Sequence, residues 1–160
     1  MVKVFLSHQS ADAAVAARIE KRLRENHGIA CYLDVIDPYI GQRGEDLATH
    51  IQSQMSKCTQ LLAIVSDTTR HSQWVPWEIG VATEKDFPLA TFSNGTGLPP
   101  EFLRKWPYLR TDADIDAYAR ASKLAQRSFT EKSRILNEGV ARIRSTGEFY
   151  ANLRADLGQR

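Results

Sequence analysis

Cysteine is scarce: the 160 residues hold two, Cys31 and Cys58, each inside an apolar segment. Two thiols cannot staple a disulfide scaffold, and the count suits a reducing compartment. Long hydrophobic runs are missing as well. The longest are five residues, as in Leu61 to Val65, against the roughly 20 that a membrane-spanning helix needs. No basic stretch followed by an apolar one opens the chain, so no secretory leader is expected. Neither sign of charge dominates, with 21 Lys and Arg against 19 acids, net +2. Residues 1–110 carry 12 of each, and residues 111–160 hold the excess, 9 against 7. A nucleic-acid binder gathers its cations into a stripe. The densest group here, Arg18, Lys21, Arg22 and Arg24, is interrupted by Glu20 and Glu25 and reads as the solvated side of a helix. The expectation is a soluble, cytoplasmic, single-domain protein with neither nucleic acid nor membrane as partner.

Several chemistries fail for want of a motif. There is no G-x-S-x-G elbow and no G-x-x-x-x-G-K-[ST] phosphate loop. Gly95-x-Gly97 runs into Pro99-Pro100 rather than a helix start, so it is no dinucleotide fingerprint. His8, His27, His50 and His71 lie on separate segments without ligand spacing to either cysteine, and no metal site is expected.

What is present is alternation. Residues 2–7 form a short β-rich run, and Val15, Ile19 and Leu23 follow at four-residue spacing on one helical face. Gly28 is the residue expected just past that helix's end. Ile29 to Leu33 is a second apolar run, stopped by Asp34. A loop through Asp37-Pro38, Gly41 and Gly44 leads to a helix with Leu47, Ile51, Met55 and Cys58 on one face. Leu61 to Val65 is apolar at every position, as a strand covered on both faces requires. A helix over about 73–83, a strand at Leu89 to Phe92, a short strand at Tyr108-Leu109 and a helix carrying Ile115, Tyr118, Ala119 and Ser122 complete the pattern. Helix-length crossovers between strands demand a parallel sheet with helices on both faces. The predicted fold is a flavodoxin-like, doubly wound, five-stranded α/β sheet of order 2-1-3-4-5. Beyond it, Phe129, Leu136, Val140 and Ile143 at helical spacing predict a helical extension packed on the domain or on a partner. The boundary is set at 127/128.

The order reverses between strands 1 and 3, and ligands bind outside the carboxyl ends of such strands. The loops there are Ser7-His8-Gln9-Ser10 and Ser66-Asp67-Thr68-Thr69-Arg70, the second running into a helix with Ser72, Trp74, Trp77 and Glu78. Ser72 suits an N-cap, and Pro76 is tolerable in a first turn. Trp74 and Glu78 are four apart and share a face, setting an aromatic plane beside a carboxylate at the crevice mouth.

These residues resemble a TIR domain, the Toll/interleukin-1 receptor family, over about residues 2–127. Val4-Phe5-Leu6-Ser7-His8-Gln9-Ser10-Ala11-Asp12 is similar to the family's first box in its bacterial form. Ile29 to Asp34 followed by Ile40-Gly41 is similar to the second strand and BB loop. Ser72-x-Trp74-x-x-x-Glu78 resembles the helix that carries the glutamate of NAD-cleaving members. The resemblance implies cleavage of the nicotinamide–ribose bond of NAD+, with Glu78 as the catalytic residue and NAD+ as substrate rather than cofactor. It also implies roles in substrate binding for Ser7, His8, Ser10, Asp34, Arg43 in the BB-like loop, and Trp74, together with self-association through TIR–TIR contacts. A stand-alone unit of this kind resembles the TIR proteins of bacterial Thoeris antiphage systems. They make a diffusible, ADP-ribose-type nucleotide signal for a separate effector. The product, whether ADP-ribose or a cyclic isomer, is left open by the residues. A non-enzymatic adaptor module is the alternative, although adaptors commonly lack the glutamate.

Overall fold

A computed structural model describes residues 1–35, 44–95 and 97–160, with the backbone alone at residues 34, 35, 44, 45, 70 and 71. Strands β1 (Lys3–His8), β2 (Ala30–Val35), β3 (Gln60–Val65), β4 (Leu89–Ser93) and β5 (Tyr108–Leu109) alternate with helices α1 (Ala13–His27), α2 (Gly44–Met55), α3 (Trp74–Glu84) and α4 (Asp112–Lys132). Helix α5 (Glu138–Leu157) follows. All pairings are parallel and the order is β2-β1-β3-β4-β5. The flavodoxin-like sheet is therefore the one the alternation predicts.

Strand pleating explains two cores from one set of apolar runs. Successive side chains point to opposite faces, so Val4, Leu6, Leu62, Ile64 and Phe92 pack under α1, α4 and α5 with Ile19, Leu23, Tyr118 and Phe149. Phe5, Leu61, Ala63, Val65 and Leu89 pack against α2 and α3 with Ile51, Met55, Val75 and Ile79. Every residue of β3 is buried. Each fully buried Leu or Ile contributes about 1.5–3 kcal/mol of transfer free energy, which is why this strand carries no polar alternation.

Local chemistry sets the element ends. Gly28 takes the left-handed conformation at φ 63°. Its N–H reaches the Arg24 carbonyl at 3.1 Å, and that of Ile29 reaches Leu23 at 3.0 Å. A residue with a Cβ is strained there. Thr111 opens α4 with a capping box: its hydroxyl accepts from the Asp114 N–H at 3.2 Å while Asp114 accepts from the Thr111 N–H at 3.0 Å.

Two expectations are corrected. The cationic face of α1 does more than meet solvent, because Arg18 pairs with Asp112 and Arg22 binds Asp116 through Nε (2.9 Å) and Nη2 (2.7 Å), tying α1 to α4. The apolar residues of the extension do not form one packed stripe. Phe129 lies in α4 and a turn separates it from α5, so the helical spacing does not carry across. What α5 buries is Ala141, Ser145, Thr146, Phe149 and Leu153, leaving Ile143 59% exposed. Helix α4 runs unbroken through position 127, and Phe149 and Leu153 belong to the same core as the sheet. Among the described residues no helix is long and apolar enough to cross a membrane.

Candidate functional site

Ser7 ends the central run of β1, in register with Asp34 of β2 and Ala63 of β3. It therefore stands where the strand order reverses. Helix α3 approaches the same point. The Ser72 hydroxyl accepts from the Val75 N–H at 3.3 Å, close to the expected cap although Gln73 is the capping position. Pro76 falls in the first turn, where its missing N–H is not needed. The helix buries Val75, Glu78, Ile79 and Ala82.

Glu78 has no exposed surface. The Ser7 hydroxyl, equally buried, donates to Glu78 Oε2. An ionised carboxyl taken out of water is strongly destabilising unless hydrogen-bonded, so this pairing of residues 71 positions apart is a built feature. Trp74 stands one turn before Glu78, as the spacing requires, but its ring meets Trp77 edge-on at 5.6 Å and 86°. Both indoles are half-buried against the core beneath α3.

His8 and Ser10 differ in their surroundings. His8 is buried, and its Nδ1–H donates to the Leu6 carbonyl at 3.0 Å, so the imidazole is held by its own strand. Ser10 is exposed at the start of the 3-10 turn Ser10–Asp12. The backbone of Asp34 sits opposite Ser7, while its side chain, and Arg43 altogether, lie outside the described residues.

Sequence reasoning missed a polar knot beside this pair. Asp12 is 2% exposed and accepts from Ser66 Oγ at 2.8 Å and Asn94 Nδ2 at 3.2 Å. Gln9 Nε2 donates to Thr68 Oγ1 at 2.6 Å, and the Ser66 N–H donates to Thr69 Oγ1 at 2.8 Å. The segments after β1, β3 and β4 are thereby fastened to one carboxylate. The available signal was the Asp12 of the first box, but nothing in the spacing showed that a 3-10 turn would drive it inward.

Thiolate chemistry finds no support at either cysteine. Burial pushes the Cys31 thiol up to about 12 and the Cys58 thiol up to about 11, so neither supplies a thiolate near neutral pH. Among the described residues no group of three His, Cys, Asp or Glu is placed to hold a metal.

Sheet order, buried carboxylate and first-strand serine together define a flavodoxin-like α/β domain with an acidic site at the strand reversal. Residues 4–124 match the TIR domain family, and the chain belongs to it. Over 80 residues the chain is 30% identical to the probable 3' cyclic ADP-D-ribose synthase ThsB' of Bacillus cereus (strain MSX-D12). That match covers 48% of this chain and 41% of the relative, so the chain spans less than half of that protein's length. In fold it is similar to the SEFIR domain of the IL-17 receptor B, with a TM-score of 0.50 and 11% identity over 76% of this chain and 93% of that one. A prokaryotic SEFIR domain gives a TM-score of 0.49 and 16% identity over 77% and 97%.

Proposed function

We propose that this TIR domain cleaves the nicotinamide–ribosyl bond of NAD+ with Glu78 as its catalytic carboxylate, releasing nicotinamide and an ADP-ribose product, linear or cyclic. The observation that carries the reading is the buried Glu78 carboxylate held by the Ser7 hydroxyl at the reversal in strand order. Family membership and the synthase activity for which the Bacillus relative is named support it.

The chemistry suits one acid. As the C–N bond breaks, its electron pair leaves with the pyridinium nitrogen, so nicotinamide departs neutral and needs no proton. Glycosidases that expel an alkoxide need a second carboxyl group for that purpose. What remains is a ribosyl cation, and a carboxylate about 4 Å away at an effective dielectric near 20 stabilises it by about 4 kcal/mol. Water capture of the cation releases a proton and gives ADP-ribose; attack by a nitrogen or hydroxyl of the same molecule closes a ring. A cyclic product would serve as a diffusible signal to a separate effector, in antiphage defence on the Thoeris resemblance. In the single chain Glu78 is covered, so productive binding requires a rearranged state, and association with a second TIR domain is the natural source of one.

Complete burial of Glu78 also favours a second reading, a TIR interaction module in which the Ser7–Glu78 pair is structural. Mass spectrometry of the products formed from NAD+ at high protein concentration separates the two. Nicotinamide released by the wild type and not by Glu78→Gln supports catalysis; none from either supports the module.

A further inference from the structure

The segments that follow β3 and β4 enclose a two-part cleft. One part, about 180 Å³, is polar, lined by Ser66, Asp67, Ser93, Asn94 and the backbone at Gly95 and Gly97. The other, about 340 Å³, is walled by Val75, Pro76, Ile79, Phe102 and Leu103. Val65, Ser66 and Pro100 border both, so the parts adjoin. Ligand pockets are commonly of this size and combine apolar walls with a few placed polar groups. The cleft is firmly built: Asp12 holds Ser66 and Asn94 from beneath, and the Ser93 hydroxyl donates to the Gly97 carbonyl at 3.0 Å.

We propose that this cleft binds a nucleoside, the base in the apolar part and the ribose hydroxyls in the polar part. The lining selects the ligand class by charge. No Lys or Arg stands among the described lining residues, whereas Asp67 is acidic and exposed. A phosphate there would face the Asp67 carboxylate with no cation among the described lining residues, and Arg104 beside them has its Nε engaged by the Pro99 carbonyl at 2.9 Å. A vicinal diol donates two hydrogen bonds to such a carboxylate, as acidic residues do toward ribose at other α/β crevices. A purely apolar ligand would desolvate Asp67 without offering its carboxylate a hydrogen bond. The apolar part, between Pro76 and Phe102 at the rim and Ile79 and Leu103 deeper in, suits a flat ring.

This site is separate from the Ser7–Glu78 pair. Val75 and Ile79, one turn apart on α3, line the cleft, while Glu78 turns to Ser7 of β1. The proposal therefore stands or falls independently of NAD+ cleavage. Its source is either a free nucleoside or the nucleoside end of a dinucleotide.

The test is a titration of the isotope-labelled chain followed by amide NMR, with adenosine, ribose and inorganic phosphate as separate probes. Adenosine should give saturable shifts at Ser66, Asp67, Asn94 and Leu103, with ribose and phosphate silent at the same concentration. Phe102 is 63% exposed and Asp67 is exposed, so Phe102→Ala and Asp67→Asn should keep the wild-type melting temperature. Each should weaken adenosine about tenfold. Glu78→Gln should leave adenosine binding unchanged. Adding NAD+ to Glu78→Gln separates the sources: shifts at the same residues assign a dinucleotide's nucleoside end, and their absence assigns the free nucleoside. Failure of adenosine to saturate at millimolar concentration, phosphate shifting these residues by itself, or full affinity in both cleft variants would overturn the proposal.

Discussion

At the scale of single residues, one hydrogen bond joins the two segments that matter most. Glu78 is isosteric with Gln, and the amide oxygen can still accept from Ser7, so Glu78→Gln should fold with a circular-dichroism melt within a few degrees of wild type. The same change removes the negative charge, and on the proposed chemistry nicotinamide release should fall about a thousandfold. Undiminished turnover by that variant would dismiss Glu78 as the catalytic group. Ser7→Ala is a milder probe, because on the proposed chemistry Ser7 acts by holding the carboxylate. It should lower kcat about tenfold and leave KM near wild type. Asp12 tests structure rather than chemistry. Its loss takes the acceptor from Asn94 Nδ2 and leaves Ser66 Oγ only the Thr68 and Thr69 hydroxyls, and Asp12→Ala should lower the urea-unfolding free energy by about 2 kcal/mol. A change below about 0.5 kcal/mol would show that the three segments hold one another without it.

At the scale of elements, legibility followed periodicity. Strands β1, β3 and β4 could be read because a doubly covered strand admits few polar residues, and α2 because Leu47, Ile51 and Met55 fall on one face and are buried, whereas Cys58, expected on the same face, is buried just past the helix end. The Ser7–Glu78 encounter could be located, since strand reversal fixes where β1 and α3 meet, although total burial of the carboxylate could not. Burial of that kind is decided by neighbouring loops, whose conformations leave no period in a sequence. The face of α5 was misread for a related reason. Four apolar residues at helical spacing straddle a turn, and the helix instead packs Phe149 edge-on against Tyr118 at 5.8 Å and 87°. The misreading has a measurable consequence. Phe149→Ala should cost about 3–5 kcal/mol of stability, as large core truncations do, whereas Ile143→Ala should change it by less than about 0.5 kcal/mol. Equal effects in chemical denaturation would contradict the observed face. The clamp between α1 and α4 was hidden because its partners are 94 positions apart. Hydrogen bonds from Arg22, and then from His27 at 2.7 Å, hold the Asp116 carboxyl down at about 2. Below about pH 4 the unfolded chain takes up a proton that folded Asp116 still refuses, so this contribution is complete above that pH and fades as pH falls toward 2. Asp116 is 27% exposed, and allowing for solvent screening the effect is about 1 kcal/mol. Between pH 5 and pH 2.5 the wild type should lose about that much more stability than Asp116→Asn.

At the scale of the whole molecule, the central fact is that the candidate catalytic group and its partner have no surface, while the cavities at the ends of β3 and β4 and between α2 and α3 are lined by other side chains. A carboxylate that stabilises a cation must come within a few ångströms of it, so the proposed chemistry requires surroundings at Glu78 that differ from those of the single chain. If a second copy supplies the energy for that change, the active population is set by mass action. In the dilute limit of a dimerising system, tenfold more protein gives about tenfold higher activity per chain, until association saturates. The measurement is the initial rate of nicotinamide release across a hundredfold range of protein concentration. It should be run beside light scattering, so that the rise in rate and the rise in mass can be compared on one axis. A specific activity that stays constant while the protein remains monomeric would place the opening of the Glu78 site within one chain, and self-association would then have no part in the chemistry.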